Sequence, residues 1–188
     1  MSTRLRPAAA IAALFAISLG LPAQAPAQQP TGVVADLLKD MSEVEKKLVD
    51  LAKAMPENTY AWRAGKARTT AEVFQHVAAE NYFLPTAVGV TAPAATKIKG
   101  DDYATVQAHE NRKAGRDEVI ADLERSFAHF KAAMGKTTPA ELSQSLSIFG
   151  MTMTRQQFWI MTTMHLHEHL GQAIAYARAN DIVPPWSR

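Results

Sequence analysis

Between residues 32 and 54 the apolar side chains Val34, Leu37, Leu38, Met41, Val44, Leu48 and Leu51 recur at intervals of three and four. That spacing keeps one face of a 3.6-residue turn apolar, so it predicts an amphipathic helix that must bury its stripe, stopped before Pro56. A second stripe, Val119, Ile120, Leu123, Phe127, Phe130 and Met134, lies in a segment that turns helical from about 103 and ends at Gly135, read as a C-cap. Hardly any stretch alternates with the period of two that a half-buried strand needs. Thr69 with Glu72 forms a capping box that opens a helix over "TAEVFQHVAAENYFL", and Thr154 with Gln157 opens another that runs to about Ala179. "TAPAATKIKGDD" has no periodicity and reads as a loop. Thr138, Pro139 and Glu141 make a short capped turn, and "SQSLSIFGMTM" is either an extended excursion or a hairpin-like loop. Four main helices give an all-α chain, a four-helix bundle.

The front of the chain bears on compartment. Arg4 and Arg6 precede the apolar run "AAAIAALFAISLGL", and "PAQAPAQQP" supplies small-residue cleavage positions. Residues 1–27 are read as a secretory signal peptide cut after Ala27, which leaves a single domain over 28–188 in the periplasm or outside the cell. A retained anchor needs roughly 20 apolar residues, and this run is shorter and interrupted by Ser18 and Gly20. The segment carries two of the 20 basic residues and no acid, so the remaining 18 basic and 18 acidic residues cancel. A neutral domain gives no electrostatic footprint for nucleic acid, and no membrane span is expected in the mature chain. There are no cysteines, so neither disulfides nor thiolate ligands are available. Stability must come from the core, and any metal must be held by nitrogen and oxygen.

"MTTMHLHEHLGQ" places three of the six histidines within five residues. At about 100° per residue, His165 and His169 share a helix face and His167 points nearly opposite. The pair has two readings: partly buried polar residues bonded to Glu168 or a carbonyl, or two ligands of one ion awaiting a third. His76, mid-helix among Val73, Phe74 and Val77, is the candidate third ligand. His109, His129 and His167 are read as solvated and excluded as ligands. Met151, Met153, Met161 and Met164 are read as core filler. Glu80, four residues after His76 on the same face, is the candidate catalytic group, as orienter, fourth ligand or general base. Glu168 lies toward the flank, and Gln172 is read as a structural donor across helices.

The last-helix segment "HLHEHLGQAIAYARANDIVPP" is similar to the signature of the DinB-like superfamily. There, a histidine, three residues, a second histidine, one residue and Gly-Gln precede a short tail ending in Pro-Pro. His165, His169, Gly171, Gln172, Pro184 and Pro185 carry the match. "YAWRAGKARTTAEVFQHVAAEN" extends it upstream, with a Trp-Arg linker, a capped helix start and His76 at the place of the first metal-binding histidine. The resemblance spans roughly 30–188 and implies an up-down-down-up bundle, often a homodimer. It also implies three histidines, His76, His165 and His169, around a divalent ion, commonly zinc or nickel. Relatives include thiol transferases and a maleylpyruvate isomerase. Export from the reducing cytosol turns the expectation from thiol transfer toward metal-dependent hydrolysis or another transfer on a small molecule, with a non-catalytic metal-binding or interaction protein as the alternative.

Overall fold

The computed structural model describes residues 30–187, so the signal peptide expected over 1–27 and its cleavage after Ala27 lie outside the described residues. Five helices follow one another: α1 (Val33–Ala54), α2 (Thr70–Phe83), α3 (Tyr103–Glu110), α4 (Arg116–Gly135) and α5 (Arg155–Ala179). Two short strands, β1 (Ser145–Ile148) and β2 (Met151–Thr154), form an antiparallel hairpin before α5. Its turn residues Phe149 and Gly150 both have positive φ, 53° and 73°, the combination that matches the right-handed twist of a two-residue hairpin. The hairpin reading of this segment is thus the one realised.

Each of α1 and α2 packs against both α4 and α5, which closes a four-helix bundle. Hydrogen bonds at one end give the directions. Arg116, first residue of α4, donates to the carbonyls of Lys53 and Met55 at the end of α1. Tyr60 donates its hydroxyl to the Ala52 carbonyl and accepts, at its own carbonyl, from Ala71 in the first turn of α2. Tyr176, near the end of α5, donates to the carbonyl of Arg68 just before α2. Helices α1 and α5 therefore run toward this end and α2 and α4 away from it, which is the up-down-down-up order.

The apolar stripes meet in one core that includes Leu48, Leu51, Phe74, Leu123, Phe127, Phe130, Phe158 and Trp159. The two capping boxes stand as read, at Thr69 with Glu72 and at Thr154 with Gln157. Two features depart from the expectation. The helical stretch from 103 is interrupted after Glu110, because Gln75 of α2 donates to the carbonyls of both Glu110 and Arg112 and so replaces the bonds a continuous helix would make. Gly135 ends α4 without a left-handed φ; a Cβ there would meet Leu38 of α1 at 3.6 Å, and the chain leaves through Lys136 instead. Of the four methionines read as filler, Met153 and Met161 pack on the core. Met151 and Met164 are exposed, one on the hairpin and one on the outer side of α5. No helix among the described residues is long and apolar enough to cross a membrane.

Phe130 is fully buried and meets the Trp159 ring at 5.4 Å, edge to face, across the α4–α5 contact. Phe130→Ala should cost about 3–5 kcal/mol, read as a lowered midpoint in urea unfolding; a loss below about 1 kcal/mol would show that the site collapses around the gap.

Candidate metal centre

Helix α2 is enclosed by α3, α4 and α5, so even its polar residues are buried: Gln75, His76, Glu80 and Asn81 lie inside with Val73, Phe74 and Val77. Buried polar groups need partners, and each of these side chains has at least one on a neighbouring helix or at its end, although Asn81 Oδ1 has none among the described residues. For His76, 6% exposed, the partners come from two sides. Its Nδ1 meets Glu110 Oε1 of α3 at 2.6 Å, while its ring stands edge to face on His165 and His169 of α5, at centroid distances of 5.4 and 4.6 Å. The two α5 rings are 4.5 Å apart and perpendicular. One ligand atom from each of His76, His165 and His169 falls within 4.8 Å of the others, an arrangement that can hold a metal ion.

The hydrogen bonds assign the ring nitrogens. A carboxylate accepts only, so His76 donates its Nδ1–H to Glu110 and keeps a lone pair on Nε2. His169 donates Nδ1–H to Gln172 Oε1 at 3.1 Å, Gln172 donates to the Tyr176 hydroxyl at 3.0 Å, and Tyr176 donates to the Arg68 carbonyl. The Trp62 ring stands edge to face on Tyr176, 4.9 Å away. The remaining nitrogen of His169, Nε2, is buried without a partner among the described residues. A buried lone pair with nothing to accept is costly, and an ion between the three rings satisfies it.

Burial also favours the neutral, metal-binding form of the two α5 imidazoles. It pushes His169 down to about 4, with further lowering from the nearby His165 and His76, and it lowers His165 with help from His76. Burial pushes the Glu110 carboxyl up, but the hydrogen bond and charge of His76, with Arg68 at 3.8 Å, outweigh it and hold Glu110 below the usual range. Glu80 is the opposite case: burial dominates and raises it, against the influence of His76 and a 3.2 Å hydrogen bond from the Tyr103 hydroxyl. Glu80 and Glu110 also form, with His76, a second group whose ligand atoms lie within 4.8 Å.

Glu80 is therefore beside His76, as its spacing indicates, but the hydrogen bond that orients His76 comes from Glu110. No spacing signals Glu110, because it acts from a short helix across a sequence distance of 34 residues. Glu168 is at the rim, 75% exposed and 3.9 Å from His165 Nδ1. Gln172 bonds within α5, and Tyr176 makes the link between helices. His167 is half exposed and bonded to Asp40 of α1. His109 and His129 are not solvated as read: His109 is pressed on Asp122 at 2.8 Å and His129 Nε2 is buried, because α2 and α3 cover the side of α4 that the apolar stripe leaves polar. Among the described residues, neither belongs to a group that can hold a metal.

Residues 40–173 match the family model described as the DinB superfamily. Among solved structures, the chain is similar to a DinB-like protein from Bacillus cereus ATCC 10987, with a TM-score of 0.65 and 14% identity over 80% of this chain and 95% of that one. It is similar to a conserved protein from Enterococcus faecalis, with a TM-score of 0.66 and 15% identity over 79% and 97%. A mutant of the mycothiol-dependent maleylpyruvate isomerase matches with a TM-score of 0.57 and 12% identity, over 73% of this chain and 59% of that one. At these identities the likeness is one of fold. No curated protein matches the chain.

Glu110→Gln retains the size of the side chain but turns a charged acceptor into an amide. Metal affinity, measured by competition with a chromophoric chelator, should fall by roughly 10- to 100-fold, while far-ultraviolet circular dichroism stays unchanged. Unaltered affinity would remove Glu110 from the site.

Proposed function

The chain belongs to the DinB superfamily, and from that footing we propose that it is an exported metal-dependent enzyme, a hydrolase or transferase acting on a small molecule. His76, His165 and His169 hold one divalent ion, zinc or nickel. The observation that carries this reading is the buried Nε2 of His169, unpartnered among the described residues, beside two further imidazoles that each offer a ligand atom within 4.8 Å. Export rests on the sequence of residues 1–27, and assembly as a homodimer on the habit of the family.

A divalent ion, when held by His76, His165 and His169, would supply Lewis acidity to a bound substrate. The chain's own residues do the rest. Glu110 fixes the His76 ring, and Gln172 with Tyr176 fixes His169. Glu80, 5% exposed and protonated more readily than an ordinary glutamate, holds or releases a proton beside the site, with the Tyr103 hydroxyl as its partner. The mycothiol-dependent maleylpyruvate isomerase is an enzyme with a similar fold. The same Tyr103 hydrogen bond favours the non-catalytic alternative in one respect, because it already occupies the Glu80 carboxyl.

Metal analysis of the mature protein, prepared without a histidine tag, should find about one zinc or nickel ion per chain. The His165→Ala, His169→Ala double variant should lose it, and Glu80→Gln should keep it. Equal trace metal in wild type and double variant would contradict the assignment.

A further inference from the structure

A second cluster of charged side chains lies away from the three histidines. Asp122 of α4 is only 4% exposed, yet its carboxylate accepts from four donors. These are Arg112 at 2.7 Å, His109 Nε2 at 2.8 Å, the Tyr82 hydroxyl at 3.1 Å and Arg125 at 3.2 Å. Beside this cluster is a cavity of about 700 Å³. Such a volume falls within the ~300–1,000 Å³ of small-molecule sites. One wall is the cluster itself, and the other is the loop bearing Pro93, Ala95 and Lys97.

The charges around the cavity do not cancel. Lys97, Arg112 and Arg125 face Asp122 and Glu118, and Asp122 is already saturated by its donors. Arg112 commits one N–H to Asp122 and one to the His109 carbonyl, and Arg125 commits one to Asp122. A guanidinium has five N–H groups, so donors remain on both, and Lys97 adds three more. Pro93, Ala95, Ala108 and the Tyr82 ring supply apolar surface in the same cavity. A clamp between α3 and α4 has no need of this design: apolar packing would hold the helices without desolvating ions and without leaving a void.

We propose that this cavity is a binding site for a small organic anion, a carboxylate on a short apolar body. Lys97, Arg112 and Arg125 hold the carboxylate, and Pro93, Ala95, Ala108 and Tyr82 receive the body. The site is separate from the three histidines and stands whether or not the reading of the metal centre holds.

The test uses sodium hexanoate as probe, titrated into the ¹⁵N-labelled protein as purified and followed by amide shifts. Saturable shifts are expected at Ala95, Thr96, Thr105 and Ala108, and hexan-1-ol, which has the same body without the charge, should give none. The Lys97→Gln, Arg125→Gln double variant changes two exposed side chains and should stay folded by circular dichroism while binding hexanoate at least roughly tenfold more weakly. Three results would overturn the proposal: no saturable shift in the wild type, shifts confined to the neighbourhood of His165 and His169, or equal affinity in the folded double variant.

Discussion

The hydrogen bond between His76 and Glu110 joins the two helices that the rest of the site is built upon. Helix α2 has no solvent face to spare, so its polar side chains must be matched from outside, and α3 exists largely to do this. Glu110 takes His76, Tyr103 takes Glu80, and the carbonyls at the end of α3 take Gln75. With α2 held in this way, the Nε2 side of His76 is left for α5. The ion-ready triad follows from satisfying a buried helix.

The same constraint separates what could be read in the sequence from what could not. Helix α1 has a single apolar face: of the residues the spacing selects, Val34, Met41, Val44, Leu48 and Leu51 are buried and Leu37 and Leu38 partly so, while Val49 and Ala52 are buried beside them. The i, i+4 placement of His165 and His169 likewise survives folding, because a helix preserves it. Helix α2 carries no such signal, since burial on all sides removes the contrast between faces. Glu110, Tyr103 and Asp122 lie on other elements and meet their partners only through tertiary packing. The break after Glu110 was hidden for a related reason: it is made by Gln75, whose influence on a helix 35 residues away leaves no local mark.

The solved structures that resemble this chain share 15% or less of its sequence in the three described, while four-fifths of the chain overlays two of them. A bundle tolerates that divergence because its core asks only for apolar residues of suitable volume at the right period. Function is set by the few polar residues that interrupt that pattern. Two groups of buried polar residues interrupt the pattern in this chain, the histidines with Glu80 and Glu110, and the Asp122 cluster beside its cavity. His109 and Glu110, neighbours at the end of α3, each serve one of them.

The central claim is that three imidazoles from two helices, two of them fixed by hydrogen bonds and the third, His165, stacked edge to face on both, form the inner sphere of one ion. X-ray absorption at the edge of the metal carried by the purified protein tests it most directly. The account predicts three imidazole nitrogens at about 2.0–2.1 Å, seen through the multiple scattering of the rings, with the remaining coordination supplied by exchangeable oxygen. A spectrum with no more than one imidazole, or with an oxygen-only sphere, would contradict it.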